Sequence, residues 1–360
     1  MSRSLISRLL IVMAMFTTMP LIVHAADAPA LKTIRIGVPA VVANPKSYWG
    51  TSGIARYKGW FEEEFAKEGI RVEYVGFKGG APMVGQALAN GQVDLAGQGD
   101  FLSIIGKSSG LKTKLVLPFG KLSNAYLAVS KKSGIRSVED LRGKRVAYYK
   151  GNQIHLQALR ILALHGMTEK DIKSIFLDPP TAASAIAAGE VDALFGSQET
   201  LTLRDRGVVD VVYSTNGRAD LTAYNGLVAT EKFIDHYPDI LTRLVKVFVK
   251  AAKWADDPAN RDEALKIWAS GPTPSLNVKE DYADRPWSDR LSPLLDPLLV
   301  EHYKQTQEQI AGLGMLRGPK VNLDQWIDPT FVNAALKDLK LEGHWTPLPA
   351  EGRSAAPIPK

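Results

Sequence analysis

The 360-residue chain contains no cysteine. That absence excludes disulfides, thiolate metal sites and CxxC redox chemistry. It also excludes a lipid tether of the bacterial lipoprotein type, which needs a cysteine at the cleavage point. Catalytic signatures are scarce too: there is no H-E-x-x-H zinc motif and no phosphate-binding P-loop. The six histidines are dispersed, so no metal site and no cofactor are expected. Beyond the first residues no apolar run approaches the roughly 20 residues that a membrane span requires. Basic residues are spread along the chain rather than striped with aromatics, which argues against a nucleic-acid partner. The two denser stretches, "KSSGLKTK" and "GIRSVEDLRGKR", read as solvated loops.

The opening residues have the layout of a cleavable signal peptide over 1–25. Arg3 and Arg8 lead an apolar stretch from Leu9 to Val23, and "VHA" ends at Ala25 with small residues at the cleavage positions. Its removal takes two arginines from a formal net charge of +6. A soluble exported protein, periplasmic rather than a lipoprotein, is the expectation. The remainder is long enough for two lobes with separate cores.

The informative feature is a repeat. "ALANGQVDLAGQGD" (87–100) returns as "AIAAGEVDALFGSQ" (185–198), each a small-residue helix, a glycine, a short strand with one Asp, and a polar loop. Around the first copy, "TIRIGVP", the helical spacing of "IARYKGWFEEEFAKEG", and "IRVEYVGF" complete a strand–helix–strand–helix–strand series. Around the second, "KRVAYY", "QIHLQALRILALHG" and "IKSIFL" do the same. "VDVVYS" and "AYNGLVAT" read as strands returning to the first lobe, and the pattern from Glu231 onward is helical. The expected division is 26–129 for the first part of lobe 1, 130–220 for lobe 2 and 221–345 for the rest of lobe 1. Residues 346–360 are expected to form a disordered tail.

In open parallel sheets, ligands bind beyond the carboxyl ends of the strands, where helix N-termini favour anions. Five loops fall there: the loop through Ser47 to Thr51, Lys78–Pro82, Gly97–Phe101, Lys150–His155 and Gly196–Thr200. Asp94 and Asp192, at matching strand positions, read as structural. Asp100 either caps the helix that follows or meets a ligand amine. Lys150 either pairs with an anion or points to solvent, and His155 reads as a packing histidine. Tyr148 and Tyr149 alternate, one toward the core and one toward the cleft.

The ordered series "IRIGV", "GGAPMVGQALANGQVDLAGQGD", "SVEDLRGKRVAYYKGN" and "AIAAGEVDALFG" resembles the periplasmic substrate-binding proteins of ABC importers for sulfonates, taurine and nitrate. The likeness covers roughly residues 32–230. It implies a type II periplasmic-binding-protein fold: two α/β lobes, each a mostly parallel sheet flanked by helices, with a helical C-terminal region. It implies no catalysis, a small organic anion as ligand, an ABC permease as partner, and a monomer. Gly99 and Asp100 match a G-D pair common in such proteins. Lys150-Gly151-Asn152 stands where K-G-S is usual, and Phe195-Gly196-Ser197-Gln198-Glu199 departs from an aromatic followed by D-P.

On that basis backbone N–H groups near Gly79, Gly80, Gly99 and Gly151, with Asn152, Gln153, Ser197 and Gln198, are expected to hold the ligand's polar end. Tyr48, Trp49 and Tyr149 are expected to pack on its apolar part, and Tyr224 joins the candidate site with Asp100 and Lys150. The alternatives are a ligand-sensing module for a membrane receptor and an enzyme of cofactor-precursor metabolism on the same scaffold.

Overall fold

The two repeat aspartates are twin braces. Asp94 accepts three hydrogen bonds from Arg35: from its backbone N–H (2.9 Å), from Nε (3.1 Å) and from a terminal guanidinium nitrogen (2.8 Å). Asp192 accepts the same three from Arg145, at 2.8, 3.2 and 2.8 Å. In each half the brace ties the strand that follows the small-residue helix to the strand that opens that half's parallel series. The structural reading of both aspartates therefore has a geometric basis.

A computed structural model describes residues 31–39, 44, 48–78, 81–270 and 276–351. The signal-peptide segment, Ser47, Gly79, Gly80 and the end of the tail lie outside the described residues. Among the described residues ten strands form two sheets: β1 (Thr33–Pro39), β2 (Arg71–Phe77), β3 (Leu95–Gly99), β4 (Thr113–Ser123), β5 (Tyr126–Ser130), β6 (Arg145–Tyr148), β7 (Lys173–Phe176), β8 (Ala193–Gly196), β9 (Val209–Ser214) and β10 (Ala223–Thr230). The first sheet runs β2-β1-β3-β10-β4 and the second β7-β6-β8-β5-β9. Both are mixed. β10 is antiparallel to β3 and β4, and β5 is antiparallel to β8 and β9, while β1, β2 and β3, like β6, β7 and β8, pair in parallel.

The reversed strand of each sheet is the one that has just crossed from the other. β4 ends at Ser123 in the first sheet and β5 begins at Tyr126 in the second; β9 ends in the second and β10 returns to the first. Two expectations are corrected here. Tyr126–Ser130 belongs to the second sheet rather than to a first segment running to residue 129. "VDVVYS" stays in the second sheet too, because Val209–Ser214 pairs with β5; only Ala223–Thr230 returns.

Each sheet is covered on both faces. On the first, Ile34, Ile36 and Leu95 pack with Phe61, Phe65 and the helix Pro238–Asp256 (through Leu244, Val245 and Phe248), while Val84, Ala87, Ile104 and Tyr303 close the opposite face. On the second, Val146, Tyr148 and Phe195 meet the helix Gln153–Leu164, and Ala182, Ala185 and Ile186 cover the reverse side. Burial of such apolar stripes is worth about 25 cal/mol per Å² and holds the lobes together. The helix expected as one piece from Ile54 to Phe65 is two, Gly50–Tyr57 and Trp60–Phe65, because Gly59 adopts φ +70° between them. Residues 346–351, expected to belong to a disordered tail, include a packed position. Leu348 is buried in the first lobe's second core, and its N–H and C=O bond to Asp296 (3.4 Å) and to the Leu298 N–H (3.1 Å).

The Arg145 hydrogen bonds hold the Asp192 carboxyl below the usual range, against its partial burial. A lowered folded pKa means that the brace stabilises above the ordinary Asp value of about 4, and that this stability is lost as pH falls through the folded value. Asp192→Asn should therefore melt at a lower temperature than the parent at pH 7, with the gap closing toward pH 3. Thermal melts followed by circular dichroism at several pH values check this.

Candidate ligand site

The carboxyl ends of the strands bring the two lobes together at a few small groups. A Cβ added to Gly99 would lie 3.2 Å from Oε1 of Gln153 on the second lobe and 3.6 Å from Oδ1 of Asn225 on the return strand. One added to Gly120 would lie 3.6 Å from Nδ2 of Asn225. Gly99, Gly120, Asn225 and Gln153 therefore meet where the lobes face one another. Asn225 was missed by the sequence reading, which chose its neighbour Tyr224. Successive strand residues point to opposite faces. Tyr224 is fully buried, its ring 4.3 Å from that of His302, so it is corrected from ligand candidate to core residue. The available signal was a lone amide side chain in an otherwise apolar strand.

Asp100 resolves in favour of structure. It opens the helix Asp100–Ser108 and is 1% exposed. One oxygen accepts the Phe101 N–H at 2.7 Å, and the other is in hydrogen-bond contact with Nε2 of His302 and accepts from the Thr306 hydroxyl at 3.5 Å. Burial alone would raise its pKa, but the His302 hydrogen bond and charge, with Arg160 nearby, outweigh it and hold the carboxyl below its usual range. Arg160 comes from the second lobe and donates to Gln309 (2.7 Å) and Thr306 (2.9 Å). Both oxygens are thus engaged inside the protein, and the side chain is buried.

The turn Lys150-Gly151-Asn152 is shaped from behind. Gly151 takes φ +74°, which a side chain would strain, and its N–H donates to Nδ1 of His155 at 3.3 Å. Asn152 caps the helix Gln153–Leu164, its Oδ1 accepting the His155 N–H at 3.3 Å. His155 is fully buried, stacked on Tyr148 at 5.5 Å and 3.7 Å from Glu169. Burial lowers its pKa, so the neutral ring that accepts from Gly151 is favoured. Tyr148 faces the core and Tyr149 is half-buried. Lys150 lays its ammonium 4.3 Å from the centroid of the Phe176 ring.

On the first lobe, Tyr48 sits edge-on to Tyr57 at 5.2 Å, and the indole N–H of Trp49 is buried with no partner among the described residues. Trp49 precedes the helix Gly50–Tyr57 without supplying a side-chain cap. That helix start opens on a cavity of about 60 Å³ lined also by Gly120, Phe248, Tyr282 and Arg290. Arg290 is held by Asp281 (3.2 Å) and Asp284 (2.8 Å), and Asp281 in turn accepts from Asn124 (3.2 Å) and Tyr126 (2.7 Å). The matching loop of the second lobe keeps Ser197 and Gln198 half-buried, and the Ser197 N–H donates to Glu199 at 2.9 Å.

Among the described residues no group of three or more His, Asp or Glu side chains is placed to hold a metal ion. Gly106 to Gly110 has the G-x-S-x-G spacing of a nucleophile elbow, but Ser108 ends a helix and is buried, whereas an elbow serine is exposed at a strand-to-helix turn.

Two five-stranded mixed sheets, crossed twice by the chain and facing each other across glycine-rich loops, define the periplasmic-binding-protein fold. The chain belongs to the NMT1/THI5-like family, matched over residues 51–261. A Bacillus subtilis protein named as an aliphatic sulfonates-binding protein is 28% identical over 316 residues, covering 87% of this chain and 91% of the relative. The structure of the periplasmic sulfonate-binding protein SsuA from Methylobacillus flagellatus KT is 32% identical, with a TM-score of 0.77 over 89% of this chain and 98% of that one. The desulfurization enzyme DSZB shares the fold at 17% identity, with a TM-score of 0.64 over 86% of this chain and 99% of its own.

If Asn152 works chiefly as a helix cap, Asn152→Ala should cost about 1 kcal/mol of stability, whereas Asn152→Ser, which keeps a capping oxygen, should cost much less. Urea denaturation of both variants measures the difference.

Proposed function

We propose that this chain is a periplasmic solute-binding protein that closes two lobes on a small organic anion, of the sulfonate kind, and delivers it to an ABC permease. The observation that carries the reading is the meeting of the lobes at Gly99, Asn225 and Gln153, within a fold whose relatives across most of the chain are sulfonate-binding proteins. Backbone N–H groups at strand ends and helix starts suit an anion without a fixed countercharge. The half-buried Ser197 and Gln198 supply polar groups on the second lobe, and Tyr149 an aromatic one.

Binding without turnover is supported by the fate of the histidines nearest the cleft. His155 is buried with Nδ1 engaged by Gly151, and His302 is buried against Asp100. Neither is placed as a free base. The likeness to DSZB extends to the fold and carries no activity with it.

A ligand that binds only the folded state stabilises it by about 2.7 kcal/mol at one hundred times Kd, and so raises the melting temperature with its concentration. Ethanesulfonate is expected to shift the melt of the purified protein progressively, and sodium acetate at equal ionic strength is not. Absence of a shift with any alkanesulfonate at millimolar concentration would overturn the anion assignment.

A further inference from the structure

One side chain grips the turn Lys150-Gly151-Asn152 twice. The backbone N–H of His155 donates to Oδ1 of Asn152 at 3.3 Å, and its ring Nδ1 accepts the Gly151 N–H at 3.3 Å. The second bond fixes the state of the ring. An Nδ1 that accepts carries no proton, so the ring is neutral with its proton on Nε2, and a protonated ring would set two donors against each other. What the turn delivers is Gln153, whose Oε1 lies where Gly99 and Asn225 meet the second lobe.

The ring is also a point of contact between the lobes. It stacks on Tyr148 of its own lobe, with centroids 5.5 Å apart and planes 19° apart, and the Phe101 ring of the first lobe lies 6.4 Å away. A Cβ added to Gly151 would lie 4.0 Å from Cε1 of the same Phe101. The charged and titratable groups around the ring are few. Glu169 is 3.7 Å from Nε2, which has no hydrogen-bond partner among the described residues. The Tyr148 hydroxyl is bonded to Glu169 and Ser174, Lys150 stands in the turn itself, and Asp100, beside Phe101, is held by His302. Burial lowers the His155 pKa; Glu169 opposes that shift and Lys150 adds to it. Parting the lobes would withdraw Phe101 and relieve part of the burial.

We propose that His155 is a positioning residue for the anion site: its neutral ring holds the turn in binding shape, and its protonation favours parted lobes. The proposal rests on the sulfonate-type reading above. Closure that disfavours the protonated ring must, by reciprocity, be disfavoured by protonation. With the pKa lowered when the lobes are together, affinity is full above the ordinary His value of about 6.5 and is lost as pH falls below it. A sulfonate stays ionised across that range, so the loss would belong to the protein.

Titration calorimetry with ethanesulfonate at pH 7.5 and pH 5, in buffers free of sulfonates, tests this. The parent should bind about tenfold more weakly at pH 5, the loss that one linked proton produces over a pH unit. His155→Gln offers an amide oxygen to the Gly151 N–H and does not titrate, so it should bind equally at both pH values. His155→Phe keeps a ring without the acceptor and should be weaker at both, by about tenfold against the parent at pH 7.5, as for a buried donor left unpaired. At pH 6 the parent should release protons on binding, read as a dependence of the heat on the ionisation enthalpy of the buffer. Melting curves at each pH confirm that the variants fold, and if neither does, the parent's proton release decides. Parent affinity unchanged between the two pH values, an equal loss in His155→Gln, or no proton release would overturn the proposal while leaving the sulfonate reading intact. No binding of ethanesulfonate at pH 7.5 would remove both.

Discussion

The chain must pass between its two lobes twice, and the backbone pairing of those two passages is the constraint on which the remaining structure depends. Ser123 pairs with Ala223, the Thr215 N–H donates to the Ala125 carbonyl at 3.0 Å, and the Thr215 hydroxyl accepts the Ala125 N–H at 2.9 Å. The crossings are thus joined side by side rather than independent. Each delivers a strand from the opposite lobe, which explains why each sheet has one reversed strand placed between parallel neighbours. Paired crossings limit the lobes to motions that leave this ladder intact, which is the geometry of a hinge.

Side chains around the crossings strengthen the argument. Asn124, within the first passage, bonds to Asp281; Asp284 accepts the Gly217 N–H, from the second passage, at 2.9 Å; and Arg290 joins both aspartates. Buried charges of this kind are costly unless every member has partners, so the segment carrying them is fixed once the network forms. On the other side, Gln157 donates to the carbonyls of Ser123 (3.0 Å) and Leu221 (3.1 Å), tying the second-lobe helix Gln153–Leu164 to both crossings. The loops that face the cleft are thereby positioned by the hinge itself.

What the sequence could convey divides along the range of the interactions. Asp94 and Asp192 were legible as a structural pair because the helix–glycine–strand pattern around each is local, although their partners Arg35 and Arg145 lie 59 and 47 positions away. The lobes themselves follow from strand and helix periodicity. The exact crossing points did not, since "AYLAV" and "VDVVYS" are apolar strands that suit either sheet, and only pairing decides between them. Asp100 was left open for a similar reason. Its partner His302 lies 202 positions on, in a helix with no visible tie to the repeat. Tyr224 and Asn225 show the limit at one residue. A strand has two faces, and nothing local says which of them meets the other lobe.

The same distinction bears on how a duplicated framework acquires ligand chemistry. Helix, glycine, strand and Arg–Asp brace recur in both lobes because they build the sheet, and any change there is felt in the core. The residue that follows the braced strand is under no such obligation. In the first lobe it is buried against His302 and Thr306, and Arg160 of the second lobe donates to the same Thr306, so it contributes to holding the lobes in register. In the second lobe the corresponding loop runs Ser197-Gln198-Glu199, and its carboxylate accepts the Ser197 N–H at an exposed position. One copy of the loop has become part of the contact between the lobes, while the other ends in a carboxylate that stays exposed.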